Sequence, residues 1–199
     1  MLIAFEGLDQ SGKETQARRL RDRLRAAQHK ARVVSFPDYG TTIGEEIARA
    51  LQGEREYGPD VMQLLYVANR HERRPDMDRW QLAGITLIFD RYVASTIAYG
   101  EAQGLDREWL IDIQRFLPRP DLTIFLDIAP EIALERKATG RDRYERDHAL
   151  QVGVRSSYVR QAEDPTWRRV DGARPADQIA DEVAALVPLV SGGVSASSP

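Results

Sequence analysis

Residues 2–16 read LIAFEGLDQSGKETQ, and this stretch decides the fold. Its first part, Leu2–Phe5, is an apolar run typical of a buried strand, and an amphipathic helical pattern follows Lys13. Between them, Gly7, Gly12 and Lys13 fit the spacing G-x-x-x-x-G-K, in which glycines let backbone N–H groups surround a phosphate at the helix N-terminus. The order strand, loop, helix predicts a phosphate-binding loop in an α/β protein.

The residue after Lys13 departs from this motif. Such loops usually have Ser or Thr there, whose hydroxyl contacts Mg²⁺, whereas this chain has Glu14. Thr15 lies about 100° further round the helix and cannot replace that hydroxyl. Phosphate binding is still expected, because the N–H groups and Lys13 do not depend on side chain 14. Glu14 is expected to turn aside or to contact a metal-bound water.

The rest of the chain alternates strands and helices. Apolar runs predict further strands at Arg32–Phe36, Thr86–Phe89, Leu122–Leu126 and Trp167–Val170. Helical patterns follow Lys13 and occupy residues 43–52, 60–83, 92–103, 106–116, 130–137, 146–163 and 176–188. This alternation predicts a three-layer α/β fold with a five-stranded parallel sheet flanked by helices. We expect one domain over residues 1–188 and a disordered tail of small and polar residues over 189–199.

Composition excludes several classes of protein. The chain has 199 residues, a formal net charge of −3 and no cysteine. There is thus no overall charge signature of nucleic-acid binding, and disulfides and thiolate chemistry are ruled out. No apolar run approaches the ~20 residues of a membrane span, and no basic leader precedes the first strand. We expect a cytoplasmic protein with neither membrane nor nucleic-acid partners.

Two further clusters could carry chemistry. Asp90-Arg91-Tyr92 follows a predicted strand, and ligands of open α/β sheets bind at the carboxyl ends of strands. Asp90 is therefore expected near the phosphate loop, where it could hold magnesium, and Arg91 could bind a second anion. A surface ion pair is the alternative.

Tyr66 and Arg70 are four residues apart on a predicted helix and share a face, which suits a base and its phosphate. Read in isolation, that segment favours the alternative, a core tyrosine beside a solvated arginine.

The basic run from Glu135 to Glu145 joins two helical segments and contains Gly140 as a hinge. Basic residues on such a loop could close over a transferring phosphoryl group and exclude water. The alternative is a solvated charged loop.

Together these motifs resemble the thymidylate kinase family of P-loop nucleoside monophosphate kinases. FEGLDQSGKETQ is similar to its phosphate loop, FPDYG to the segment after its second strand, ANR to its nucleotide-facing helix, DRYVAS to its most characteristic motif and GRDRYE to its lid. The resemblance runs from Leu2 to about Asp171 and implies the P-loop NTPase fold, with a lid at about residues 137–146. It also implies ATP-dependent phosphorylation of dTMP to dTDP with Mg²⁺, and a homodimer.

The resemblance also implies roles for residues at matching positions. ATP would be bound by Gly7, Leu8, Asp9, Gln10, Ser11, Gly12, Lys13, Glu14, Thr15 and Arg136. The dTMP substrate would be bound by Asp9, Phe36, Pro37, Tyr39, Tyr66, Arg70, Arg91, Ser95, Thr96, Tyr99 and Gln151. Catalysis would involve Lys13, Asp9, Arg91, Arg141 and Arg143. Asp9 and Asp90 would hold the metal, directly or through water.

Three positions depart from patterns found in the family. Some members have a catalytic arginine inside the phosphate loop, where this chain has Gln10, so that arginine is expected from the lid as Arg141 or Arg143. Tyr39 stands where some relatives have arginine, and Tyr66 replaces a frequent phenylalanine while keeping an aromatic face.

Two alternatives remain open at this stage. A deoxynucleoside kinase would share the loop and the architecture, but its uncharged acceptor has less need of Arg70 and Arg91. A non-catalytic P-loop nucleotide-binding module is the other alternative. An N-K-x-D guanine-reading motif is absent from the sequence, which disfavours a GTPase.

Overall fold

The computed structural model describes residues 1–136, residue 144 and residues 147–187. In this part of the chain, five strands form one parallel sheet in the order β2-β3-β1-β4-β5. The strands are β1 (Leu2–Glu6), β2 (Ala31–Ser35), β3 (Thr86–Asp90), β4 (Leu122–Asp127) and β5 (Trp167–Asp171). All five predicted strands are present, and their bounds differ from the predicted ones by one residue.

Helices connect the strands and cover the sheet. In the described ranges they are α1 (Lys13–Ala26), α2 (Thr42–Gln52), α3 (Pro59–Glu72), α4 (Arg74–Leu82), α5 (Val93–Ala102), α6 (Arg107–Asp112), α7 (Pro130–Arg136), α8 (His148–Gln161) and α9 (Ala176–Leu186). None of the helices in the described part of the chain is long and apolar enough to cross a membrane.

Two helix predictions were wrong in extent. Residues 60–83 form α3 and α4 rather than one helix, and the break lies at Arg73. Pro75 lies in the first turn of α4, where its missing N–H costs nothing, but it could not continue the hydrogen bonds of α3. The helix predicted over 106–116 ends at Asp112 and continues as turns up to Leu117, where Pro118 disfavours helical backbone in the residue before it.

The core lies on both faces of the sheet. On one face, side chains of α1 and α9 such as Leu20 and Ile179 pack on β1, β4 and β5. On the other, Val67 and Met77 of α3 and α4 pack on β1, β2 and β3. Strands covered on both sides need apolar residues at successive positions, which is why they appear in the sequence as continuous apolar runs. Their carboxyl ends share one edge, where the site forms.

Candidate active site

The loop between β1 and α1 has backbone conformations that few residues adopt. Gly7 and Gly12 have φ of 143° and 93°, and Gln10 has φ of 62°. A Cβ atom at Gly7 would lie 2.5 Å from the carbonyl oxygen of Leu126, so only glycine fits there. Helix α1 begins at Lys13 with no side-chain cap, which leaves the N–H groups of its first turn for a phosphate.

Lys13 lies buried inside this loop. Its Nζ donates a hydrogen bond to the carbonyl oxygen of Leu8 at 2.7 Å. Burial and the charge of Arg91 lower the pKa of Lys13 to about 8, although the carboxylates of Asp9 and Asp90 oppose that shift. The ammonium group is therefore held in position before any phosphate binds. A bound phosphate would favour its protonated, positively charged form, because the two groups have opposite charges.

Glu14 lies on the exposed side of α1. Its carboxylate forms a salt bridge with Arg18 at 2.5 Å, one helical turn further on, and both side chains are more than half exposed. The structure thus pairs the unusual residue of the loop with Arg18, and its charge also helps to raise the pKa of Asp90.

Asp9 and Arg91 form an ion pair at the end of the loop. Arg91 Nη2 lies 2.7 Å from Asp9 Oδ1, and the hydroxyl of Tyr99 donates to Asp9 Oδ2 at 3.2 Å. Burial would raise the pKa of Asp9, but the charges of Arg91 and Lys13, with hydrogen bonds from Arg91 and Tyr99, lower it to about 2. Asp9 is therefore ionised at neutral pH and keeps the guanidinium in the cleft.

The backbone of Arg91 is strained. Its φ is 64°, in the left-handed region that non-glycine residues rarely adopt, and its N–H donates to the carbonyl oxygen of Phe5 at 3.0 Å. Such a conformation costs on the order of 1–3 kcal/mol and persists where the surrounding structure fixes it. Here it turns the side chain from the end of β3 toward the loop.

A cleft of about 100 Å³ opens between this ion pair and α3. Its walls are formed by Asp9, Phe36, Pro37, Tyr39, Leu51, Gln63, Tyr66, Arg70, Arg91, Ser95, Tyr99 and Tyr144. The structure therefore brings together nine of the eleven residues predicted to bind the acceptor, all except Thr96 and Gln151. Aromatic rings and two cations in one cleft suit a planar base that carries an anion.

Thr96 and Gln151 lie behind the walls of this cleft. The buried hydroxyl of Thr96 accepts a hydrogen bond from Arg70 Nη1 at 2.6 Å. Gln151 donates from Nε2 to the carbonyl oxygen of Tyr144 at 2.9 Å, and its buried Oε1 has no hydrogen-bond partner among the described residues. In the structure as described, both residues contact neighbours that line the cleft.

Arg70 is a buried cation without an acidic partner in the described residues. It is 3% exposed, and its Nε is buried and has no hydrogen-bond acceptor there. Burial lowers the pKa of Arg70, although the Glu6 carboxylate nearby opposes the shift. A buried guanidinium with an unused donor beside a cleft is suited to bind an anion.

Asn69 ties one wall of the cleft to another. Its Oδ1 accepts from the N–H of Asp38 at 2.8 Å, and its Nδ2 donates to the hydroxyl of Thr41 at 2.8 Å. Asn69 is fully buried and lies next to Arg70 on α3. We call the backbone after β2 that carries Asp38 and Thr41 the clamped loop. Asn69 therefore fixes this loop, residues 37–41, against the helix that carries Tyr66 and Arg70.

Gln63 is a cleft residue that the sequence reasoning missed. It is 1% exposed, and its Oε1 is buried without a hydrogen-bond partner in the described part of the chain. Its position in the sequence could have indicated that it lines the cleft, because it lies three residues before Tyr66 and seven before Arg70 on the same helical face. Leu51 and Tyr144 also line the cleft and were not predicted to do so.

Asp90 is the carboxylate that fits a metal ion. Among the described residues, no donor is hydrogen-bonded to it, whereas both oxygens of Asp9 are already used. Burial raises the pKa of Asp90, and Lys13 and Arg91 oppose this shift. No group of three His, Cys, Asp or Glu side chains in the described ranges could hold a metal alone. The donor set fits Mg²⁺, which commonly takes one or two carboxylates together with substrate phosphates and water.

Arg136, at the end of α7, contacts the far side of the loop. Its guanidinium donates to the carbonyl oxygens of Gln10 and Gly172, each at 3.0 Å. These bonds use the edge of the guanidinium plane. The remaining predicted arginines, Arg141 and Arg143, lie outside the described residues, as do most of the predicted lid and residues 188–199.

The sheet, the loop at the end of β1 and the arginine-lined cleft beside it define a P-loop kinase. The family model described as "Thymidylate kinase" matches residues 5–183. The thymidylate kinase of Schizosaccharomyces pombe is 44% identical over 73% of this chain and 69% of its own length, and the Homo sapiens enzyme is 33% identical over 93% and 88%. The structure of thymidylate kinase from Candida albicans matches with a TM-score of 0.81 and 33% identity over 92% of this chain and 88% of that one. The chain belongs to the thymidylate kinase family, whose members phosphorylate dTMP to dTDP with ATP.

Proposed function

We propose that this reaction takes place between the phosphate loop and the cleft beside it, with the individual residues acting as follows. The observation that supports this most directly is that two cations line the cleft, the partly buried Arg91 beside the loop, where it pairs with Asp9, and the buried Arg70 on α3. Two anionic substrates repel each other, and phosphoryl transfer needs them in line at close range. Cations fixed on both sides of the transfer path meet that need.

The donor half consists of the loop and α1. The N–H groups of Ser11, Gly12, Glu14 and Thr15 are proposed to surround the β- and γ-phosphates of ATP, as the uncapped start of α1 allows. Lys13 then exchanges its hydrogen bond to Leu8 for the phosphates. Gly7, Leu8, Asp9 and Gln10 complete the loop. Arg136 presents the face of its guanidinium to adenine, since its edge is used by backbone carbonyls.

The acceptor half is the cleft. Arg70 and Arg91 are proposed to bind the phosphate of dTMP, while Phe36 and Tyr66 hold the base. Ser95, with Thr96 behind it, lies toward the edge of the base, and Tyr99 lies beneath the deoxyribose, where a 2′-hydroxyl would meet its ring. The other proposed contacts come from Asp9, Pro37, Tyr39 and Gln151.

The metal and the lid complete the proposal. Asp90, with Asp9, would hold Mg²⁺ directly or through water, and the ion would neutralise charge on the ATP phosphates. With Gln10 in the loop, the arginine that stabilises the transferring phosphoryl group is assigned to the lid, as Arg141 or Arg143. Because the acceptor is already a phosphate anion, a strong general base is unnecessary.

The alternatives receive no support from the site. A deoxynucleoside kinase has an uncharged acceptor and no need of two arginines, Arg70 and Arg91, in the walls of the acceptor cleft. A non-catalytic nucleotide-binding module has no need of such an acceptor cleft.

A substrate panel tests the proposal. ATP and Mg²⁺ are supplied with dTMP, dUMP, dCMP, thymidine and deoxycytidine, and ADP release is measured. We expect turnover of dTMP and little turnover of the nucleosides. Lys13→Ala and Arg91→Ala should lower kcat/KM by about 10²-fold or more, since each removes a charge near the transferring group. Equal turnover of thymidine and dTMP, or full activity in both variants, would overturn these assignments.

We further propose a cytoplasmic homodimer that associates through helices away from the cleft, with residues 1–188 as one domain. The absence of cysteine suits a reducing compartment. Large apolar side chains are exposed at Leu64 on α3 and at Phe116 after α6. Apolar surface of this kind favours association of helices, and light scattering of the purified chain distinguishes a dimer from a monomer.

A further inference from the structure

Glu6, the last residue of β1, is a fully buried carboxylate outside the substrate contacts assigned above. Three donors reach it. The N–H of Tyr92 donates to Oε1 at 2.8 Å, and the hydroxyls of Ser95 and Tyr158 donate to Oε2 at 2.6 and 3.0 Å. Among the described residues, no Lys or Arg forms an ion pair with it within 4.0 Å. A buried charge held only by neutral donors needs every one of them.

The two hydroxyls that Glu6 holds also contact Arg91. Arg91 Nη1 lies 3.2 Å from Ser95 Oγ and 3.4 Å from the Tyr158 hydroxyl. A carboxylate only accepts hydrogen bonds, and the two hydroxyls also lie 2.9 Å from each other. Their hydrogens are therefore used on Glu6 and within this pair, which leaves lone pairs to face Arg91. Burial and the Glu6 charge raise the pKa of Tyr158 well above its usual value, so its hydroxyl keeps the proton that it donates.

These contacts divide the guanidinium of Arg91 between two anchors. Nη1 is held by the hydroxyls of Ser95 and Tyr158, and Nη2 is held by Asp9 at 2.7 Å and by the Tyr99 hydroxyl at 3.1 Å. The guanidinium plane is thereby fixed in the wall of the cleft before any substrate binds. A guanidinium that is already oriented loses less freedom when it binds a phosphate.

We propose that Glu6 is a positioning residue for the acceptor phosphate: it orients the hydroxyls of Ser95 and Tyr158, and these in turn orient Arg91 toward the phosphate of dTMP. This inference rests on the proposed role of Arg91 as a phosphate ligand. It assigns a function to the glutamate that immediately precedes the phosphate loop.

Glu6→Gln isolates this role, because it keeps the shape of the side chain and changes its hydrogen bonding. The Tyr92 N–H needs an acceptor at Oε1, so the new amide N–H₂ must face the two hydroxyls. Ser95 and Tyr158 then accept from residue 6. One hydroxyl can donate to the other, 2.9 Å away, but the second hydrogen is left to face Arg91 Nη1, a donor that repels it.

The measurement is the ratio of dissociation constants for thymidine and dTMP, obtained by calorimetry on the full chain. The ratio reports the contribution of the phosphate, because effects on the base and sugar are shared by both ligands. Glu6→Gln should lower this ratio about tenfold, the effect of losing an oriented charge-assisted hydrogen bond. The KM for dTMP should rise more than kcat falls.

Glu101→Gln is the matched control. Glu101 is a mostly buried carboxylate on α5 that accepts hydrogen bonds from Ser157 and Arg160 of α8, so it joins the same two helices without touching the cleft. The Glu101→Gln variant should leave the ratio of the dissociation constants for thymidine and dTMP unchanged. In an Arg91→Ala background, Glu6→Gln should have no further effect on the ratio, since the group through which it acts is gone.

An unchanged ratio in Glu6→Gln, or an equal fall in Glu101→Gln, would overturn the inference. A full further loss in the Arg91→Ala background would also do so, because Glu6 would then act independently of Arg91. If Glu6→Gln does not fold, Tyr158→Phe keeps the ring and removes one bridging hydroxyl, and about a threefold fall is expected. An unchanged ratio in Arg91→Ala itself would instead refute the proposed role of Arg91.

Discussion

Replacing Arg70 by Met should make the ligand-free protein more stable while it weakens binding of dTMP. The guanidinium is buried, its Nε has no acceptor and no acidic side chain pairs with it among the described residues. A cation placed this way stabilises a bound anion and destabilises the free protein. Methionine has a similar volume and carries neither the charge nor the unused donor.

The structure sets the size of the effect. Removing the unsatisfied buried donor should contribute about 1–3 kcal/mol, and the loss of the bond from Arg70 to Thr96 should cost about 1 kcal/mol. A net gain of about 1 kcal/mol raises Tm by about 2–4 °C in a chain of this size. Loss of charge-assisted hydrogen bonds to the substrate, at about 1.5–3 kcal/mol, weakens dTMP binding about 10- to 100-fold.

Thermal unfolding with and without dTMP measures both effects. At a dTMP concentration of about 100 times its Kd, the wild-type protein gains about 2.7 kcal/mol, and Arg70→Met should gain far less at that concentration. Arg18→Met, at an exposed arginine of α1, is the control and should change neither quantity. A lower Tm for Arg70→Met without ligand, or an undiminished dTMP shift, would refute the reasoning.

Three further predictions concern the loop and the cleft. The Oε1 of Gln63, unpartnered among the described residues, is the acceptor that we expect for the N3–H of thymine. Gln63→Leu removes it and should lower kcat/KM for dTMP about 3–10-fold and reduce the preference for dTMP over dCMP; an unchanged preference in steady-state assays would exclude this contact. Glu14→Ala should leave kcat within about twofold, because exposed salt bridges contribute little; a large loss at saturating ATP and Mg²⁺ would instead place Glu14 at the metal. ATP binding should take up a proton at Lys13 above pH 8, because its pKa of about 8 rises when phosphates approach. The bound state then holds more protons than the free state, so ATP affinity should fall up to about tenfold per pH unit above 8. Calorimetry in buffers of different ionisation enthalpy measures this uptake, which Lys13→Arg should abolish.

The strands and the loop could be predicted because their causes are local in sequence. β1 and β4 are buried along their whole length, so apolar residues occupy most of their successive positions, and this pattern can be recognised without knowledge of the neighbouring strands. The loop could be predicted from Gly7 and Gly12, because a backbone with positive φ favours glycine wherever it occurs. The residues that line the cleft could be predicted from their resemblance to the family's motifs. The spacing of residues along the chain does not show which distant segments lie close together in the fold.

What could not be predicted depends on contacts between distant segments. Glu6 follows an apolar run and could equally have been a solvated residue at the end of a strand. Its role becomes visible only when Ser95 and Tyr158 are found against it, 89 and 152 positions away. The break at Arg73 is different, because Pro75 was present in the sequence and the apolar pattern on both sides concealed its effect.

The bonds of Asn69 have a mechanical consequence. Because one buried amide holds both the N–H of Asp38 and the hydroxyl of Thr41, the clamped loop cannot shift along α3 without breaking several hydrogen bonds together. We therefore expect the loop and the helix to move together. If the cleft narrows around a substrate, we expect the spacing between Pro37 and Tyr66 to stay constant while the distance to the phosphate loop changes.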